Sequence, residues 1–326
     1  MHDAQKNDNT MRTQVDMRYY LAPMEGLTGH VYRNVQRDMF GGMDKYYTPF
    51  ITPNQNRSLT SREMRDVQPE NNTCGDVVPQ IMANDAAAFL WAADKLRRLG
   101  YDEVNLNLGC PSRTVVSKGR GSGFLGHPTA LDEFLAQVFD SVQVRVSVKT
   151  RIGLETSAEL PGLMAIFNRY PICELTIHAR VQSAYYSGTP DMDAYRRALA
   201  LARMPVAYNG DIFSPADAQA LTERFPDTRA MMLGRGVMAE PALARLLRGG
   251  APSDVRELEE FHARLLDGYL RDMGDPVTAM FRMKELWGYM GKRFPNAAKP
   301  LKRLRKSRKL DEYSDAAREI FAVGID

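Results

Sequence analysis

The chain has 326 residues, 44% hydrophobic and 25% charged, with a formal net charge of +3, enough to bury a core of α/β-barrel size with a smaller domain beside it. Its three cysteines, Cys74, Cys110 and Cys173, follow no regular spacing, which excludes a disulfide framework and a structural zinc site and fits a reducing compartment with no metal. Residues 1–16 lack the apolar core of a signal peptide and no later stretch has the length of a membrane span, so we expect a disordered N-terminal tail on a soluble, cytoplasmic protein.

From residue 17 the chain alternates. Residues 17–24 (MRYYLAPM) read as a strand stopped by Pro23, and Thr28 is placed to cap a helix over 30–39. A second strand is predicted at 45–51 (KYYTPFI) and a third at 77–82 (VVPQIM), with a polar stretch between them that holds a short helix over 59–64. The helix over 85–99 ends at Gly100 and leads into a strand over 103–108. Helix 129–139, strand 144–149, helix 157–168, strand 174–178 and helix 192–202 follow. Strand 205–209, helix 214–225 with Ser214 as cap and Pro215 at its first position, strand 229–233 and helix 239–247 close the series at Gly249-Gly250. Eight strand and helix units in turn, with no Gly-x-Gly-x-x-Gly turn, favour a (β/α)8 TIM barrel over an open doubly wound sheet. After Pro252 only helices are predicted, over 254–270, 276–293, 299–306 and 312–321, which form a small C-terminal bundle.

The stretch 104–113 (VNLNLGCPSR) carries the sharpest chemical signal. Val104, Leu106 and Leu108 alternate with Asn105 and Asn107, and then Gly109 and Pro111 end regular structure on either side of Cys110. A thiol held at a strand end can donate a proton or attack a substrate, whereas the bland alternative is a small buried apolar side chain. The glycine-rich loop 117–123 reads either as a lid for that thiol or as a plain connector.

In such a barrel the carboxyl ends of the strands share one face, and chemistry is done there. The expected strand ends are Pro23 and Met24, Gln80, Asn107 and Cys110, Lys149 and Arg151, His178 and Arg180, Asn209-Gly210-Asp211, and Gly234-Arg235-Gly236. The last two combine exposed backbone amides with a guanidinium after strands seven and eight, the place where these barrels commonly hold a phosphate. Lys149 reads as a catalytic amine or as a cation held against an electron-rich ring. Between Arg282 and Lys309 there are eleven Lys and Arg against the single acid Glu285, so this segment carries +10 and the rest of the chain −7. Such asymmetry points to a polyanionic partner or, more blandly, to a solvated helix face.

Together the stretches Ala22-Pro23-Met24-Glu25-Gly26, Asn107-Leu108-Gly109-Cys110-Pro111-Ser112, Val148-Lys149-Thr150-Arg151, His178-Ala179-Arg180, Asn209-Gly210-Asp211 and Gly234-Arg235-Gly236 resemble the tRNA-dihydrouridine synthases. The resemblance implies FMN as cofactor and NADPH or NADH as reductant. Pro23, Met24, Gln80, Lys149 and His178 would contact the flavin, and Asn209, Gly210, Asp211, Gly234 and Arg235 would hold its phosphate. Cys110 corresponds to the general acid that protonates uracil C5 while flavin N5 delivers hydride to C6, with Asn107 and Arg180 placing the base. On this reading residues 17–250 form the FMN-binding catalytic domain and residues 251–326 a helical tRNA-binding domain. Phosphate contacts are expected from Lys302, Arg303, Arg305 and Lys306, with Arg113 on the barrel rim. No obligatory protein partner is evident. Pro49 and Val181 depart from the family pattern at positions that bear on target choice. The rival enzyme class, an FMN barrel acting on a free pyrimidine or other small molecule, has no use for a +10 appendage.

Overall fold

A computed structural model describes residues 17–54 and 56–325; the tail expected to be disordered lies outside the described residues. The parallel strands are β1 (Arg18–Leu21), β2 (Lys45–Tyr47), β3 (Val77–Val78), β4 (Gln80–Ile81), β5 (Glu103–Leu108), β6 (Arg145–Arg151), β7 (Leu175–His178), β8 (Val206–Asn209) and β9 (Ala230–Leu233). They lie in the order β3-β2-β1-β9-β8-β7-β6-β5-β4.

The two ends of that order are one continuous stave. Pro79, which has no N–H, interrupts the third predicted strand and leaves β3 paired to β2 and β4 paired to β5. On one side Thr48 N donates to Val78 O at 3.1 Å, and on the other Asn105 N donates to Pro79 O at 2.8 Å, so the barrel closes through this strand. Eight staves result, and the expected TIM barrel is the observed fold. β2 is shorter than expected because Pro49 removes a donor; Ile51 rejoins the sheet only as a bridge to Ile81.

β5 shows why these sequences form staves. Val104, Leu106 and Leu108 face the helices, while Glu103, Asn105 and Asn107 point inward, and all six residues are buried. The inward side chains meet partners: Glu103 accepts from Lys45 at 2.8 Å through Oε2, its Oε1 staying unpaired, and Asn105 accepts from Gln80 and donates to Ser147. Tyr20 donates to Glu174 at 2.8 Å beside it, so the floor of the barrel is a packed polar plug.

The outer helices are α1 (His30–Met39), α2 (Ser61–Val67), α3 (Ala86–Arg98), α4 (Arg113–Val116), α5 (Pro128–Ser141), α6 (Leu160–Phe167), α7 (Met192–Leu201), α8 (Pro215–Arg224), α9 (Arg235–Ala239) and α10 (Leu243–Leu247). Two expectations change in detail. Gly29, not Thr28, caps α1; the Thr28 hydroxyl instead accepts from Met24 N at 2.8 Å and closes the loop after β1. The helix expected over 239–247 begins only at Leu243, after Pro241, and the short helix α9 forms instead at the glycine-rich strand end before it.

The C-terminal layer is α11 (Val255–Met273), α12 (Pro276–Met290), α13 (Ala298–Lys306) and α14 (Leu310–Val323). α11 lies on α1: the Phe261 ring meets Tyr32 and Phe40 edge-on at 5.6 and 5.3 Å, a buried contact whose loss to alanine would cost about 3–5 kcal/mol. Arg293 pairs with Glu240 and donates to Ser253 O, so α12 is anchored next to α9 and α10. One hydrophobic core runs from the barrel staves through this layer. Among the described residues no helix is long and apolar enough to cross a membrane.

Candidate active site

A cavity of about 550 Å³ opens at the carboxyl ends of the strands. Pro23, Met24, Asn107, Cys110, Lys149, Arg151, His178, Asn209, Gly210, Gly234 and Arg235 line it, so the structure brings together eleven of the residues singled out from the sequence. A second hollow of about 800 Å³ lies at the opposite end of β6, but its charged wall is satisfied internally, Arg145 being paired with Asp102 and Glu103.

Cys110 is held by its own strand. The Asn107 carboxamide oxygen accepts from Gly109 N and Cys110 N, both at 3.0 Å, and its amide donates to Gln80 at 2.7 Å. Arg151 Nε donates to Gly109 O at 2.9 Å, and Ser122 donates to Cys110 O from both its backbone N–H and its hydroxyl. The second half of the glycine-rich loop is therefore a buried buttress, not a lid. Gly121 has φ of 55° there, and a Cβ would sit 2.8 Å from Cys110 O. Burial pushes the Cys110 thiol above its usual pKa, against the pull of the Ser112 amide, Lys149 and Arg151, so the thiol is protonated at neutral pH.

Lys149 stands beside Asn107 in the β5 and β6 register. Its ammonium makes no hydrogen bond or ion pair among the described residues, and burial, reinforced by Arg151, pushes its pKa down to about 7. His178, on the next stave, is held well below the usual imidazole value by burial and then by Lys149, Arg151, Arg180 and Arg235. Neutral His178 accepts from Arg180 at 3.2 Å through Nε2, which leaves its proton on Nδ1.

Three expected contact residues lie one layer back. Gln80 is fully buried and its amide is used by Asn105 and Asn107, so it shapes the Cys110 turn and does not wall the cavity. Arg180 is 3% exposed and commits its five N–H groups to Ser187 O, Gly188 O, His178 and both oxygens of Asp211, so none is left for a base. Asp211 is expected on a phosphate, yet a carboxylate would repel one; it bridges Arg180 and Arg235 and fixes the Arg235 guanidinium at the rim. Gly210 is forced by Tyr208, whose hydroxyl would sit 2.1 Å from an added Cβ, and Gly236 by the Ile212 carbonyl at the same distance. A Cβ on Gly234 would stand against Ala22 and Met24, in the cleft itself.

Further side chains reach the cavity, among them Tyr186, Tyr289 and Lys292. Arg151 and Arg235 bracket the Tyr186 ring at 5.4 and 5.3 Å, and Tyr186 remains 55% exposed. Tyr289 and Lys292 come from the helical layer, so the barrel alone does not complete the wall. The Tyr-Tyr pair after His-Ala-Arg was a readable hint of Tyr186; nothing local marks Tyr289 or Lys292, because only the docking of α12 brings them in. Arg113 is exposed at the start of α4, outside the cavity.

The basic segment also divides. Lys302, Arg305 and Lys306 point to solvent from α13, while Arg303 is paired with Glu319 at 2.6 Å. Lys284 donates to Ser307 O and Arg293 is engaged by Glu240, so these two cations serve the fold.

Comparison with known proteins adds the family. Residues 20–309 match the family described as Dihydrouridine synthase (Dus). The chain is 25% identical to a tRNA-dihydrouridine(16) synthase of Neisseria meningitidis serogroup B over 98% of both chains. It is 31% identical to tRNA-dihydrouridine synthase B of Yersinia pestis over 78% of this chain and 79% of that one. Among solved structures, morphinone reductase superposes with a TM-score of 0.53 at 12% identity, covering 72% of this chain and 87% of its own. An old yellow enzyme homologue from Zymomonas mobilis gives 0.53 at 10% identity over 72% and 90%. At those identities the two structures are similar in fold alone.

Proposed function

Since the chain belongs to the dihydrouridine synthase family, we propose that its cavity binds FMN and that the enzyme, with NADPH or NADH as reductant, reduces the C5=C6 bond of a uridine in tRNA. The observation that carries this reading is the pairing, on one cavity, of a protonated thiol from the turn after β5 with a desolvated ammonium from β6 that no described residue pairs.

The residues present fit the cofactor. Arg235, oriented by Asp211, with the small Gly210 and Gly234 beside it, would hold the phosphate. Lys149 would donate to an acceptor on the ring, which supplies the partner its buried ammonium lacks. Pro23 and Met24 would pack on a ring face. Bound, the flavin supplies a hydride for uracil C6. Charge then builds on C5, and the Cys110 Sγ–H gives its proton there, completing the addition of two hydrogens across the bond. The thiolate left behind is stabilised by Lys149 and Arg151 until solvent reprotonates it. Asn107 and Arg151 fix the turn that aims the thiol, so they are positioning residues.

The target base has to leave its stack to reach Cys110, at a cost of a few kcal/mol. Phosphate contacts from Lys302, Arg305 and Lys306 would offset it, and we assign residues 17–250 to catalysis and 251–326 to RNA binding. The names of these relatives support tRNA as the substrate. The test is anaerobic: photoreduced enzyme should be reoxidised by unmodified tRNA and not by free uridine. Reoxidation by free uridine as fast as by tRNA would instead favour a small-molecule reductase, and a colourless protein that takes up no FMN would remove both readings.

A further inference from the structure

The solvent face of α12 is unexplained by the cavity. Val277, Phe281, Glu285 and Gly288, followed by Lys292, are exposed and spaced so that they share one side of the helix. This face leads to the active site, because Gly288 and Lys292 line the cavity. Phe281 is seven residues before Gly288, about 10 Å along the axis at 1.5 Å per residue. Its ring is 59% exposed.

The surroundings of the ring are cationic. Lys284 Nζ stands 5.4 Å from its centroid, anchored on Ser307 O, and the chain continues from there into exposed Arg308 and Lys309. The acids nearby are occupied: Glu285 pairs with Arg282 at 3.1 Å, Asp275 caps α12 through Val277 N and Thr278 N, and Glu312, the carboxylate nearest Lys284, accepts from Arg308 N at 2.9 Å. A single exposed phenylalanine is ordinary. An aromatic face flanked by cations, on a helix that ends at a nucleotide-sized cavity, has the parts that bind single-stranded nucleic acid: a stacking surface and charges for the backbone. A second copy of this chain would bring Arg308 and Lys309 against their like, and an apolar protein surface would have to desolvate the same cations.

We propose that Phe281 is a stacking platform for an unpaired base of the RNA substrate, held outside the cavity while the reacting uridine is inside it. This rests on the tRNA reading above. Phe281 would then help set which uridine is presented, since a base must be unpaired at the distance that α12 dictates.

The experiment compares Phe281→Ala, Phe281→Leu and Phe281→Trp in the full FMN-loaded chain, measuring tRNA affinity at several salt concentrations and the kcat and KM for tRNA. Phe281→Ala should weaken affinity roughly five- to a hundredfold, the range expected for one lost base stack, with the loss in KM and not in kcat. Phe281→Leu should resemble Phe281→Ala, and Phe281→Trp the wild type. The salt slope should stay the same, because a stack releases no counterions. Wild-type affinity in Phe281→Ala, or rescue by Phe281→Leu, overturns the proposal. So does a change in the self-association of the protein without RNA, which would assign the face to a second copy. If the wild-type enzyme binds tRNA without reducing it, the functional reading fails while the affinity series still decides the role of Phe281.

Discussion

The centre of the helical layer and the mouth of the barrel both bury polar side chains, with opposite outcomes. In the helical layer Tyr313 donates to His262 Nε2 at 2.6 Å and accepts from Trp287 Nε1 at 2.9 Å, among the rings of Phe294 and Phe321. The network is closed upon itself. At the mouth, Lys149, Arg151, Arg235 and Lys292 face one cavity whose only acid among the described residues is Glu25, and no described residue pairs the Lys149 ammonium. Closed polar networks hold a fold together, whereas groups left open and desolvated raise the energy of the site until a ligand satisfies them.

The largest effect should come from the open site. Cys110→Ala is expected to lower tRNA reduction a hundredfold or more, on the order of a lost general acid, read against flavin reduction by NADPH in the same preparation. Because the thiol acts when protonated and burial raises its pKa, the wild-type rate should be level through neutral pH and fall only on the alkaline side of the ordinary thiol range. Reoxidation of Cys110→Ala by tRNA at the wild-type rate would break the assignment.

The surface of α13 gives the next largest. Changing Lys302, Arg305 and Lys306 together to Gln should weaken tRNA binding at physiological salt and lower the slope of log K against log salt by roughly two to three units, about 0.7–0.9 per contact. Adding Arg303→Gln should change the slope further by little, since Glu319 already neutralises that guanidinium. An unchanged slope in the triple variant would make α13 a solvated face.

Breaking the closed network should cost stability. Tyr313→Phe leaves the His262 acceptor and the Trp287 donor unpaired in the core, and about 2 kcal/mol of lost stability is expected in denaturant unfolding. Burial also holds His262 at a pKa of about 4 in the folded chain, against an ordinary imidazole value of 6.5. The unfolded chain thus binds more protons between those values, and stability is lost as pH falls from about 6.5 toward 4. A flat stability profile across that window would contradict a buried neutral imidazole.

The last effect has the opposite sign. Lys149→Met should stabilise the flavin-free protein, because it removes a desolvated charge. The folded pKa of about 7 lies below the ordinary lysine value of 10.5, so the gain should be full below pH 7 and fade as pH rises toward 10.5. Thermal melts across that range check it, and the same variant should bind FMN more weakly. A destabilised Lys149→Met would show that the amine belongs to a closed network after all.

Much of the fold was legible because its signals are local. The period-two runs at 103–108 and 174–178 and the Pro, Gly and Ser punctuation of the helices reappear within a few residues as strands and helices. The departures fall where a single proline outweighs an apolar pattern: Pro49 shortens β2, Pro79 splits the third stave, and the last barrel helix starts only after Pro241. Eleven of the marked residues reached the cavity because strand ends converge on one face in this architecture.

By itself the sequence determined the alternation of staves and helices, the turn that carries Cys110, the strand-end residues, and the concentration of charge between Arg282 and Lys309. Tertiary structure alone decided which of those residues meet a ligand. Arg180 and Asp211 read as site residues, yet they satisfy each other across 31 positions of sequence, and Gln80 is absorbed by an asparagine 27 residues away. Tyr289 and Lys292 read as part of a basic helix, yet the docking of α11 on α1 carries α12 to the mouth. A hydrogen-bonding group is engaged or free according to neighbours brought together by folding, and local pattern holds no record of those neighbours.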